Sequence, residues 1–153
     1  MKKLLTILVV IMMPIVVFGQ QKIKKQPIPL AKYDDNVDLP LTTKERAQII
    51  EVYGEFANKY VFSNENRLRA IKHILRNRVI FKRITDANEM KECPLLSEIS
   101  LFNKYVPTIK RDKVFEPQNF NPLKYNFQFY TTEASMVKVD NTDYYIIIKS
   151  QHE

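Results

Sequence analysis

Tyr144-Tyr145-Ile146-Ile147-Ile148-Lys149 is the stretch that decides the fold. It is β-branched and aromatic, with Tyr144, Ile146 and Ile148 on one face and Tyr145 and Ile147 on the other. Such composition favours a strand. Apolar side chains on both faces predict a strand that is central in its sheet or covered. Just before it, Asp140-Asn141-Thr142-Asp143 has the residue types of a tight turn, and residues 135–140 place Val137 and Val139 on one face of a second strand. Residues 124–131 alternate strictly, with Tyr125, Phe127 and Phe129 against Asn126, Gln128 and Tyr130. A period of two predicts a half-buried strand. The three segments together predict a C-terminal three-stranded antiparallel meander.

Upstream the pattern becomes irregular. Residues 93–123 hold many apolar side chains without a clean period, interrupted by Pro94, Pro107, Pro117 and Pro122. They read as chain wrapped over a core and anchored at Phe115 and Phe120. Residues 86–92 are polar and read as a turn or short helical piece. Residues 78–85 (RVIFKRIT) read as a strand. Two helices precede it. One spans 43–60, opened by a capping box of Thr42 and Glu45, with Ile49, Ile50, Tyr53, Phe56, Ala57 and Tyr60 as its apolar stripe and Gly54 inside it. The other spans 65–77, capped by Ser63 or Asn64, with Leu68, Ile71 and Leu75 buried. The expected fold is α+β: two N-terminal helices packed on a small, mainly antiparallel sheet.

The N-terminus has a different character. Met1-Lys2-Lys3 is followed by an apolar run from Leu4 to Phe18 and then Gly19-Gln20. This is the layout of a secretory signal cleaved after Gly19. A retained anchor fits less well. The run falls short of the roughly 17 residues a spanning helix needs, it carries Pro14, and Lys22, Lys24 and Lys25 follow it on the side that the positive-inside bias disfavours. The expected organisation is signal 1–19, an extended proline-containing tether 20–41, and one α+β domain 42–153, exported to the periplasm or beyond, with no stable transmembrane segment after cleavage. Ile28, Leu30, Tyr33, Val37 and Leu39 are residues by which the tether could be pinned to the domain.

Composition excludes several chemistries. Cys93 is the single cysteine, so an internal disulfide is impossible. The chain has 2 glycines, Gly19 and Gly54, too few for glycine-rich phosphate loops, dinucleotide fingerprints or a nucleophile elbow. His73, His152 and Cys93 are too scattered for a zinc site, and Asp140 and Asp143 serve a turn more simply than a calcium ion. No metal and no cofactor is expected. Cys93 as a nucleophile lacks a defined electropositive site. Carboxylate pairs for hydrolysis are set by space and not by sequence spacing, which leaves a small envelope-directed hydrolase as the alternative function.

The one local bias is basic. From Asn64 to Arg83 the chain carries Arg67, Arg69, Lys72, Arg76, Arg78, Lys82 and Arg83 against Glu65. Arg69, Lys72, Arg76 and Lys82 are the candidate patch for an anionic envelope component or an acidic protein. The plainer reading is a solvated helix face with cations toward its C-terminus, where the dipole favours them. Nucleic acid is not expected, since no recognition motif is present. Net charge, +7 for the whole chain, falls to +5 if Lys2 and Lys3 leave with the signal, which permits an anionic partner without requiring one. The C-terminal aromatics are a candidate ligand platform, with Tyr130 and Tyr145 turned away from the main apolar faces, although aromatics at period two more often form core.

The signal ending Val17-Phe18-Gly19-Gln20, the lysine-rich start and the C-terminal segments 121–125 and 139–148 resemble small exported proteins of Bacteroidetes, of flavobacterial type. The resemblance implies export and carries no activity and no site residue. The expected function is therefore a non-enzymatic binding or interaction protein of the envelope or the medium.

Overall fold

The computed structural model describes residues 33–86, 88–89 and 91–152. The expected signal 1–19 and the first part of the expected tether, 20–32, lie outside the described residues. Helices and a three-stranded antiparallel sheet make the protein mixed α+β. The strands are β1 (Val79–Arg83), β2 (Ser135–Lys138) and β3 (Tyr144–Ile148), in the order β1-β3-β2. Phe81 and Val137 both lie opposite Ile146, which is 0 % exposed. The apolar run Tyr144–Ile148 is thus the central strand. The turn from β2 to β3 has Asn141 at φ 55°, and Thr142 Oγ1 accepts the Tyr144 N–H at 3.0 Å while donating to the Val139 carbonyl.

The expected strand at 124–131 does not form. Pro122–Lys124 is a 3-10 turn, Tyr125 makes an isolated bridge to Leu101, and the Phe129 N–H donates to the Phe127 carbonyl at 2.9 Å across a three-residue turn. The alternation survives as burial: Tyr125, Phe127 and Phe129 are inside, Asn126, Gln128 and Tyr130 outside. Period two reports which side faces a core, not whether a partner strand is in reach. Both edges of β3 are already taken, so the third strand is β1 from far upstream and the C-terminal meander is reduced to the β2–β3 hairpin.

The first helix, α1 (Thr43–Tyr53), starts at the expected capping box, with Glu45 N–H on Thr42 Oγ1 at 3.1 Å and Thr42 N–H on Glu45 Oε2 at 2.8 Å. It ends seven residues short of the expected boundary because Gly54 adopts φ +53°. The chain continues through a 3-10 turn, Gly54–Phe56, and a wide π-type turn, Asn58–Phe62. The stripe phase is lost at that break. Ile49, Tyr53 and Ala57 stay buried with Val52 and Val61, whereas Ile50, Phe56 and Tyr60 are exposed. The second helix, α2 (Glu65–His73), is capped by Asn64, whose Oδ1 accepts the Arg67 N–H at 3.0 Å, and runs through a wide turn, Ile74–Arg78, into β1. Residues 93–131 cross the core as irregular chain, with a 3-10 turn at Leu96–Glu98. The core gathers Ile49, Val52, Ile71, Ile74, Phe120, Tyr125, Val137, Ile146 and Ile148.

A Cβ on Gly54 would stand 3.1 Å from Val106 Cγ2, on a backbone that side chains rarely adopt. Gly54→Ala is therefore expected to cost about 1–3 kcal/mol, read as a lowered denaturation midpoint with unchanged slope. An unchanged midpoint would mean that the break after α1 does not depend on glycine.

Candidate functional site

Three of the four predicted patch residues hold one other segment of the chain, and the fourth, Lys82, stands apart. Residues 34–40 form a short strap containing a 3-10 turn, Asp35–Asp38, whose Val37 is 0 % exposed. Arg76 grips Glu45 with both ends of its fork, Nε to Oε1 at 2.6 Å and Nη2 to Oε2 at 2.7 Å, and donates to the strap carbonyls of Asn36, Leu39 and Pro40. Lys72, only 7 % exposed, donates its ammonium to the carbonyls of Val37 at 2.7 Å and Leu39 at 2.8 Å. Arg69 pairs with Asp38 at 3.2 Å. Asn36 and Asn77 exchange two amide hydrogen bonds. Lys82 sits apart on β1, paired at the surface with Glu89 at 2.9 Å.

Three of the four cations thus form a socket for residues 34–40 of the same chain, so this part of the expected tether is packed against the residues that follow it. Helical periodicity cannot register a covering segment more than thirty residues away. It put Lys72 and His73 on the solvent side, whereas both are buried.

His73 closes the socket. Its Nδ1 meets Asn77 Nδ2 at 3.1 Å, its Nε2 is buried with no partner, and the Tyr33 ring stands edge-on at 5.0 Å. Burial first, then the charges of Arg78 and Lys149, hold its pKa below the ordinary 6.5, with Asp34 pulling the other way. Glu45 is held down to about 2, chiefly by its hydrogen bond from Arg76, with burial opposing.

A different arrangement forms where α1, α2 and residues 123–130 meet. Ile71, Ile74, Phe102, Leu123, Phe127 and Phe129 line a cavity of about 220 Å³ whose polar groups are Tyr53, Arg67, Tyr125, Asn126 and Tyr130. Arg78, a buried guanidinium, donates to the carbonyl of the lining residue Phe129 and to that of Lys149. Lys124, between the lining residues Leu123 and Tyr125, is buried and paired with Asp112 at 2.6 Å and Glu51 at 3.3 Å. Burial, with the Asp112 carboxylate beside it, pushes the Tyr125 phenol up to about 12, so it stays protonated and donates to Asp112 at 3.2 Å.

Arg67 is half-buried at this cavity, with one Nη2–H on the Tyr53 hydroxyl at 3.0 Å. Arg67, like Arg46, Arg78 and Arg111, has no ion pair among the described residues, but Arg78 and Arg111 donate to backbone carbonyls and Arg46 lies over the Phe62 ring, whereas Arg67 has only the Tyr53 hydroxyl. The basic run contained Arg67 but gave no reason to single it out. The signal lay in combining it with the alternation of 124–131, which aims Phe127 and Phe129 inward. Tyr130 is 58 % exposed at the cavity rim, whereas Tyr145, expected to point outward beside it, is 1 % exposed and unavailable as a surface platform. Cys93 is free and half-buried. Compared with protein-family models, curated proteins and solved structures, the chain finds no match.

The socket makes strap docking pH-dependent. A lowered His73 pKa contributes stability that is present above the unfolded value of 6.5 and fades as pH drops through it. The Glu45 contribution is present above 4.5 and is lost as pH falls toward about 2. Proteolytic cleavage within 33–41 is therefore expected to rise on acidification from pH 7.5 to 5.5, and His73→Asn should flatten that rise. Arg76→Met strands the Glu45 carboxylate and should cost about 3 kcal/mol, with cleavage already fast at pH 7.5. Equal protection at both pH values in the wild type would remove His73 from this role.

Proposed function

We propose that this protein is an exported, non-enzymatic binding domain whose ligand site is the aromatic cavity at Arg67, and that its ligand joins an apolar body to an anionic group. In this reading the two helices pack on the core face of the sheet as one unit that includes residues 33–41. Arg67 carries the proposal: a half-buried guanidinium beside an apolar cavity, with no carboxylate of its own among the described residues. A guanidinium in such surroundings gains most from a planar anion taken up in charge-assisted hydrogen bonds. The anionic partner expected from the basic run is kept, but its contact moves from Arg69, Lys72 and Arg76 to Arg67.

A binding role fits the chemistry better than hydrolysis. No carboxylate lines this cavity. Among the described residues, the two acids with a resolved shift, Glu45 and Asp140, are both held down by hydrogen bonds. A general acid needs the opposite displacement.

Titration with benzoate and toluenesulfonate is expected to shift the amide resonances of residues 67 and 126–130. Arg67→Met should weaken that response at least tenfold, about the worth of a hydrogen bond to a charged group. Shifts confined to the strap, or none at all, would remove the site. Export is a separate part of the reading: the exported protein is expected to begin at Gln20 by intact mass, and material retaining Met1 would contradict it.

A further inference from the structure

Resting on that reading of the cavity, we infer that the ligand is the carboxyl terminus of an extended peptide, with its last side chain, aromatic or leucine-sized, in the cavity and its terminal carboxylate on Arg67. The volume, about 220 Å³, suits one large side chain and not a long acyl chain. The lining argues against a sugar acid. Six of the eleven lining residues are aliphatic or phenylalanine, and a buried sugar would leave several hydroxyls without partners. A chain terminus asks for less: donors for one carboxylate and an acceptor for one N–H. Arg67 supplies the first. Asn126 supplies the second, since its Nδ2 is already spent on Ser100 Oγ at 2.9 Å and the Leu101 carbonyl at 3.1 Å, leaving Oδ1 to accept.

The surface beyond the cavity points to a chain in preference to a free acid. Tyr53, part of the lining, stacks on Tyr105 at 5.0 Å, and Tyr105 meets Tyr60 at 5.1 Å and Phe56 at 5.7 Å. Phe56 and Tyr60 are both exposed, so an aromatic strip leads away from the cavity. Lys59 and Lys104 hold their ammonium groups 5.3 and 5.4 Å from the Tyr60 and Tyr105 rings. This positive rim complements acidic residues just upstream of the terminus. Capture of a terminal carboxylate with side-chain pockets for the last residue is an established mode of peptide recognition.

The test is calorimetry of the mature protein with acetyl-Glu-Glu-Ala-Phe, its C-terminal amide, and benzoate. The acid is expected to bind about 10- to 100-fold more tightly than the amide, the span of one charge-assisted contact, and more tightly than benzoate. Arg67→Met should abolish the acid–amide difference. Tyr130→Ala and Tyr60→Ala, both at exposed positions that leave the core intact, should weaken the peptide several-fold and benzoate less, which keeps the test sound if the Arg67 variant proves unstable. Equal affinity for acid and amide overturns the terminus proposal. Benzoate binding as tightly as the peptide, or unaffected peptide binding in Tyr60→Ala, overturns the chain and leaves the cavity reading standing. No heat with any of the three removes both.

Discussion

The pair between Glu45 and Arg76 is the junction on which the N-terminal half depends. One carboxylate closes the capping box of α1 and receives both ends of the Arg76 fork, and the same guanidinium holds the carbonyls of Asn36, Leu39 and Pro40. Helix start, helix end and strap are thereby tied at one place. Both side chains are nearly buried, so the interaction is poorly screened by salt, and removing either partner would strand the other. The strap has little regular structure of its own and owes its position to this pair and to Lys72.

The same device recurs at several places outside the sheet. Buried carbonyls need donors, and a three-stranded sheet cannot supply them for residues 93–131. Arg78 serves the carbonyls of Phe129 and Lys149 and Arg111 that of Leu96, while Arg111 and Lys44 also reach the exposed carbonyls of Ile99 and Gln118. Much of the basic excess is therefore structural. Long cations do the work that ladder hydrogen bonds would do in a larger sheet. A basic composition in such a chain says little about an anionic partner until the carbonyls have been accounted for.

This accounting explains what the sequence could and could not convey. The β3 strand, the turn before it, the capping box at Thr42 and the inward set Tyr125, Phe127 and Phe129 were legible because each rests on neighbours within a few residues. The end of α1 was not, because the apolar stripe runs on past Gly54 in the sequence and the positive φ that ends the helix there has no local signal beyond the glycine itself. The fate of Lys72, His73 and Arg76 was not legible either, because the groups that cover them, Tyr33 over His73 and residues 36–45 over Lys72 and Arg76, lie more than thirty residues away in the chain. Residues 124–131 show the same limit in another form. Their alternation was real, but it described packing around a cavity instead of pairing in a sheet.

That misreading bears directly on function. Had residues 124–131 joined the sheet, Phe127 and Phe129 would meet cross-strand neighbours and fill against them. Instead the segment turns on itself between Phe127 and Phe129, is tethered by Arg78 through the Phe129 carbonyl, and leaves space between its rings and α2. Arg67 faces that space from the first turns of α2, held by a hydroxyl and not by a carboxylate. Keeping a guanidinium half-desolvated without a counter-charge costs folding free energy. Arg78 bears a similar cost but spends three donors on carbonyls, whereas Arg67 spends one on a phenol, and it is this surplus of donors that the proposed anionic ligand would take up.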